Sequence, residues 1–209
     1  GSFNTLKNTI MAGTGLIDKH FTFDGRASMI KSDGYIDRAY SNLSSYYFSA
    51  GYYGKKTELK AVAFNGEEKT YQAWYYVDQD SLKKGNRTVN PAGMYVDSNG
   101  KIHYYNNETD NYRQDNYQLH VIHTFGSKLR ANITGHYTKG KGYYEQFKQG
   151  EELSQYNMPN VITSNDTISI SDIIRRRWLD NDFVGIISNI DYKPSSKLNF
   201  IRIIRCFMS

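Results

Sequence analysis

The sequence predicts an all-β chain: an antiparallel transmembrane β-barrel segment of about eight strands, with short periplasmic turns and long extracellular loops. Three observations predict it. Apolar residues recur at every second position over runs of about ten residues, the signature of strands with one apolar and one polar face. Connections between these runs alternate between short and long, the asymmetry of outer-membrane barrels. The composition agrees: 19 Tyr, 10 Phe and 17 Gly stand against 3 Pro. Mean hydropathy is nevertheless −0.68, as expected when only alternate strand positions are apolar.

The clearest run is Tyr112 to Thr138. Tyr117, Leu119, Val121 and Phe125 share one face, and Gln118, His120 and Thr124 the other. Beyond Gly126-Ser127-Lys128, Leu129, Ala131, Ile133, Gly135 and Tyr137 alternate with Arg130, Asn132, Thr134, His136 and Thr138. A ten-residue arm rises roughly 33 Å, enough to cross a bilayer core at barrel tilt.

From the N-terminus, Leu6, Ile10, Ala12 and Leu16 oppose Lys7, Thr9 and Gly13, and a tight turn follows at Asp18-Lys19. Placing Leu16 opposite Phe21 keeps the apolar face continuous with Phe23, Gly25, Ala27 and Met29. A polar connection, Lys31 to Asn42, leads to a strand with Tyr46, Phe48, Ala50 and Tyr52 outward. Lys55-Lys56 makes the next tight turn. In the return strand, Thr57 to Asn65, Val62 and Phe64 share the face of Glu58 and Lys60. Gly66 to Asn111 reads as a long insertion rich in Tyr, with a hairpin turn at Asp97-Ser98-Asn99-Gly100. A second long connection is expected from Lys139 to about Arg175. The last convincing strand, Phe183 to Tyr192, has Val184, Ile186, Ile190 and Tyr192 outward, turns at Pro194-Ser195-Ser196, and restarts at Leu198 and Phe200.

If the tight turns are periplasmic, the first strand enters from outside and the last heads back there. The expectation is therefore a portion of a larger wall, residues 1–200, incomplete on its own. Residues 201–209, reading IRIIRCFMS, depart from the alternation, and a truncated or frameshifted reading frame is one explanation. No run approaches the roughly 18 apolar residues of a membrane-spanning helix, and no N-terminal signal pattern opens the chain. One cysteine, Cys206, rules out an internal disulfide framework. Net charge of +5 matches no nucleic-acid module; a surface meeting anionic lipid accounts for it. A soluble, surface-exposed β-sandwich that binds glycans through an aromatic loop is the rival architecture.

Several segments resemble the barrel region of TonB-dependent outer-membrane receptors of the Bacteroidetes type. They are SDGYIDRA (32–39), GYYGKKT (51–57), EKTYQAW (68–74), DNYRQDNYQLH (110–120), HYTKGKGYYEQFK (136–148) and IRRRWLDNDF (174–183). The resemblance implies a barrel of about 22 strands around a plugged lumen. It also implies the cell outer membrane, energy delivered by TonB through the plug, a nutrient ligand such as an iron chelate, cobalamin or glycan, and a possible surface lipoprotein partner. Nothing in the chain matches the plug, so transport by this chain alone is not expected.

No chemistry of its own is expected either: no Ser-His-Asp spacing, phosphate loop or zinc signature appears, and no cofactor is implied. His120 and His123 point to opposite faces of a strand, and the register places His120 across from Thr134. Polar lumen residues are the simpler reading. Glu67, Glu68, Glu145, Glu151 and Glu152 read as solvated loop charge rather than a glycosidase pair. Trp74, Tyr75, Tyr76, Tyr104 and Tyr105 are candidates to stack on a ligand at the extracellular mouth, against an ordinary role in the aromatic girdle or in loop packing. Arg175, Arg176 and Arg177 are candidates for outer-leaflet lipopolysaccharide phosphates, which guanidinium groups bind bidentately, against an ordinary solvated charge run.

Overall fold

The computed structural model describes residues 1–208; Ser209, at the end of the off-pattern tail, lies outside the described residues. The strands are β1 (Leu6–Gly13), β2 (Phe21–Ser32), β3 (Ser41–Tyr53) and β4 (Thr57–Tyr71), followed by a short helix α1 (Gln79–Lys83). Then come β5 (Met94–Val96), β6 (Ile102–Tyr104), β7 (Thr109–Thr124), β8 (Leu129–Glu152), β9 (Val161–Ile162), β10 (Thr167–Ile168), β11 (Ile170–Ser195) and β12 (Leu198–Met208). Among the described residues β1, β2, β3, β4, β7, β8, β11 and β12 form one eight-stranded sheet in chain order. Every pairing is antiparallel.

Register follows the apolar pattern. Tyr117 pairs with Tyr137, Leu119 with Gly135 and Val121 with Ile133, while His120 faces Thr134 as the alternation requires. The apolar residues find no second layer: Phe48, Leu119 and Ile133 are 59%, 53% and 50% exposed. The chain exposes 14749 Å², against roughly 10,000 Å² for a compact monomer of its mass. A sandwich would have buried that difference.

On this face the greasy band has clear limits. Phe21 and Tyr52 meet at 5.4 Å near the tight turns. At the other edge Tyr117 and Tyr137 stack at 6.2 Å, and the Tyr46 hydroxyl donates to Asp115 at 3.1 Å. One step further, charge resumes on the same face: Arg113 pairs with Asp115 at 2.9 Å, and Lys139 with Asp180 and Asp182 at 2.6 Å each. From Leu129 to Tyr137 β8 rises about 27 Å, close to the ~25 Å apolar band of outer-membrane barrels. The opposite face carries Asp24, Ser49, Gln118, His120 and Thr134, cross-linked by bonds such as Ser49 to Asp24 at 3.1 Å and His120 with Thr134 at 3.0 Å. In a barrel that polar face turns inward.

Four expectations need correction. At the first turn Ile17, not Leu16, pairs with Phe21. Gly15 adopts φ 64°, and the extra residue between Thr14 and Ile17 makes a bulge that only a residue free to adopt positive φ accepts readily. Asp18 and Lys19 then carry φ 46° and 60°, a type I′ reversal whose twist matches a hairpin. The long insertion is also shorter than expected, because β4 runs on to Tyr71 and β7 starts at Thr109; the Asp97–Gly100 turn is present, closed by Gly100 N–H donating to Asp97 O at 3.0 Å.

The largest difference concerns Lys139 to Arg175. Lys139–Glu152 is a continuation of β8, and Ile170–Arg175 is the start of β11, so only 153–169 remain as connection. Unbroken pairing from Tyr192↔Leu129 to Ile173↔Lys148 carries the hairpin far beyond the belt. Outside hydrocarbon neither face need be apolar, so period-two alternation fades while the backbone ladder persists. At the last turn β11 extends to Ser195, which pairs with Leu198, placing the reversal at Ser196-Lys197. Ile201–Met208 of the off-pattern tail lie in β12, paired to β11.

Candidate functional site

Above the belt the sheet continues, and strand parity sorts its side chains. On the inward face one cross-strand row reads Thr70, Asp110, Tyr144, Arg177. The next row toward the membrane reads Glu68, Tyr112, Gly142, Leu179. Cross-strand neighbours lie about 4.5–5.5 Å apart, so these residues form one patch. Trp74, entering the long connection, sets its ring edge-on to Tyr144 at 5.4 Å and 71° and remains 56% exposed. The Arg177 guanidinium lies 5.6 Å from the Tyr144 centroid.

Glycine spacing explains how Tyr112 fits. A Cβ at Gly142 would come within 2.8 Å of the Tyr112 ring, and one at Gly140 within 3.0 Å of its Cζ, so the ring lies flat across β8 where side chains are missing. Asn181 Nδ2 donates to the Tyr112 hydroxyl at 3.2 Å. Among the described residues neither Asp110 nor Glu68 has an ion-pair partner, and neither does Arg177. Burial pushes the Asp110 carboxyl up to about 6; the Glu68 charge adds to this and Trp74 opposes it.

The opposite face of the same strands is occupied by the folded connection 72–108, apart from Trp74. Its anchor is Glu145, 1% exposed, which accepts from the Tyr105 hydroxyl at 2.6 Å and Asn107 Nδ2 at 2.5 Å and pairs with Arg176 Nε at 2.5 Å. Burial opposes ionisation of Glu145, but these donors outweigh it and hold its carboxyl below the ordinary range. Tyr105 responds in the other direction: burial, then the Glu145 carboxylate, raise its hydroxyl to about 12. Tyr71 donates to Ala92 O at 3.1 Å and Tyr105 O at 2.7 Å, and Arg38 lies 3.7 Å above the Tyr104 ring. Glu145 is thus not solvated loop charge, as the sequence suggested, but a fixed tie between β8 and the connection.

The aromatic candidates accordingly separate. Trp74 is on the inward patch, and Tyr75 and Tyr76 stand in solvent beside it, Tyr76 at 95% exposure. Tyr104 and Tyr105 belong to the packed connection on the other face, with Tyr105 stacked on Phe147 at 5.8 Å. The arginines separate likewise, because a strand alternates. Arg176 is bound to Glu145, whereas Arg175, donating to Gln146, and Arg177 project inward.

No protein-family model matches the chain, and no curated protein matches it either. Two crystal structures of the ferric-catecholate import receptor Fiu from E. coli K12 share its shape. The closed form aligns with TM-score 0.59 at 11% identity, covering 94% of this chain and 28% of that receptor. The open form aligns with TM-score 0.61 at 10% identity, covering 94% and 30%. The likeness is one of fold. This chain spans less than a third of the receptor's length, and among the described residues its sheet is open, with β1 and β12 as its edges.

Asp110, Tyr112, Tyr144 and Asn181 do not stand out as site residues in the sequence. Their signal was present in the parity of the strands and in Gly-Lys-Gly at 140–142 opposite Tyr112. It was hidden because Asp110 fell in 66–111 and Tyr144, with the glycines opposite Tyr112, in 139–175, both read as connections, where parity has no meaning.

Proposed function

We propose that the chain is a section of the wall and extracellular mouth of a TonB-dependent receptor in the outer membrane, serving energised import of a nutrient ligand. The observation that carries this reading is the apolar band on one sheet face, bounded by tyrosines beyond which ion pairs begin, with a polar face behind it. Likeness in fold to a ferric-catecholate import receptor supports the import role. The wall performs no chemistry; it excludes lipid from a polar channel and presents side chains to the ligand at the mouth. Outer-membrane lipid is the partner of the band, and TonB acts through the plug that such barrels enclose.

Alternation in lipid contact is the test. Spin labels placed singly at Leu119, Val121 and Ile133, in a Cys206→Ser background reconstituted into bilayers, are expected to collide with oxygen. Labels at His120 and Thr134 should collide with a water-soluble nickel complex instead. Equal water accessibility at all five positions would rule the wall reading out.

A further inference from the structure

We propose that the tight-turn edge of the sheet is a docking surface for anionic phospholipid of the inner leaflet, held by Lys19, Lys55, Lys56, Lys128 and Lys197. The proposal rests on the receptor-wall reading and names the lipid that its periplasmic edge selects.

Sheet order sets four turns side by side along one edge, between β1 and β2, β3 and β4, β7 and β8, and β11 and β12. Neighbouring turns lie two strand spacings apart, about 10 Å. That is about one Debye length at physiological salt, so charges in adjacent turns act together. Every one of the four carries lysine, and all five lysines are exposed. None has an ion-pair partner among the described residues. The acids at this end do not neutralise them. Glu58 and Asp191 lie on the inward face, engaged by Arg130 and Lys193 at 3.5 Å each, which leaves Asp18 as the one acid within the turns.

Lipid, rather than a soluble polyanion, is selected by what lies beside the lysines. On the apolar face next to the turns stand Phe21, Tyr52, Phe125 and Tyr192, with Phe125 62% exposed. Rings at headgroup level with lysine beyond them form a membrane interface, where the lysine stem follows apolar surface and its ammonium reaches headgroup phosphate. A soluble polyanion would meet the lysines but not the rings. The other edge of the band is built differently: Arg113 faces Asp115, and Lys139 and Lys141 face Asp180. Cations there are already paired, so selection for anionic lipid belongs to the turn edge. It is also the edge away from Arg175, Arg176 and Arg177, the arginines whose sequence suggested phosphate binding at the outer leaflet.

The test compares the two edges. The full chain, carrying Cys206→Ser, bears a bimane fluorophore at Ser127→Cys in the third turn or at Ser44→Cys on the apolar side of the opposite edge. It is reconstituted in phosphatidylcholine nanodiscs containing a minor share of phosphatidylglycerol or phosphatidylcholine with a nitroxide high on the acyl chain. Phosphatidylglycerol is expected to quench the Ser127 label at least about threefold more than phosphatidylcholine does, within the roughly fivefold that one lysine near an anionic surface supplies. At Ser44 no preference is expected. The preference should vanish in about 1 M salt, where the Debye length is about 3 Å. It should vanish equally in the quintuple variant Lys19→Asn, Lys55→Gln, Lys56→Gln, Lys128→Gln, Lys197→Gln, with asparagine at the first position because that residue holds φ 60°. Equal quenching by the two lipids at Ser127, an equal preference at Ser44, or a preference that survives the quintuple variant overturns the proposal. Equal quenching together with lysine-dependent retention on peptidoglycan sacculi would assign the edge to the cell wall and overturn it too. Failure of the wall reading looks different: labels at Leu119 and Ile133 would then report water, whereas failure of this proposal alone leaves them in lipid.

Discussion

The lower and upper halves of β8 share one pleat and one pair of neighbours, yet they obey different rules. From Leu129 to Tyr137 one face holds Ile133 and Tyr137 against hydrocarbon and the other holds Thr134 and His136. From Lys139 to Glu152 the same parity carries Lys139 and a buried Glu145 on the first face, and Tyr144 on the second. The solvent on the outer face accounts for the difference. Where lipid covers the sheet a charge has no partner; where a folded connection covers it, Glu145 finds three donors.

The sharpest way to break this comparison is a charge exchanged between regions. Leu119→Arg, at the centre of the band, is expected to destabilise the chain in lipid vesicles by about 2–4 kcal/mol, read from denaturant midpoints. Thr134→Arg on the inward face should change stability by less than about 1 kcal/mol. Equal costs would mean that the two faces see the same medium.

Above the band the cost comes from unpaired partners rather than from lipid. Glu145→Ala leaves the Tyr105 hydroxyl, Asn107 and Arg176 without their acceptor, a loss of about 1–3 kcal/mol. Amide exchange should quicken in the connection, where Gln72 N–H donates to Glu108 O and Tyr105 N–H to Gly93 O, and leave the Leu119–Ile133 hairpin unchanged. Gly142→Ala tests the seat of the Tyr112 ring. Its Cβ would meet the backbone of Asn111 and Tyr112, so overpacking of about 1–3 kcal/mol and displacement of Tyr112 are expected, seen as loss of the ring's packing shifts in NMR spectra of Gly140 and Asn181.

The smallest effect separates two acids by sign. Asp110, raised to about 6, takes up a proton more readily folded than unfolded. Its contribution is full below the ordinary carboxylate range and is lost as pH rises through about 6. Glu145 is depressed, so its contribution is full at neutral pH and is lost as pH falls through and below the ordinary carboxylate range. Asp110→Asn should therefore flatten the decline in stability between about pH 4 and 6, the span its shift covers, whereas Glu145→Gln should flatten the acid side.

Much of this was legible in the amino acids. Tyr117, Leu119, Val121 and Ile133 predicted their own register, and the turns at Asp18-Lys19, Lys55-Lys56 and Gly126–Lys128 lie where expected. Arg175–Arg177 were legible only as a run; that they divide between two faces required knowing they are strand. Glu145 gave no hint of burial, because its donors come from Tyr105 and Asn107 in a connection that no periodicity describes.

Alternation is a local property, written every second residue, so the chain alone determined which face of each ribbon is apolar and how neighbouring ribbons align. Where water replaces lipid the code falls silent, and side chains are sorted by what packs above them. Only the folded molecule decided that Glu145 is a tie, that Tyr105 is its donor, and that Trp74, Tyr144 and Asp110 share a surface, because those contacts join residues far apart in the chain.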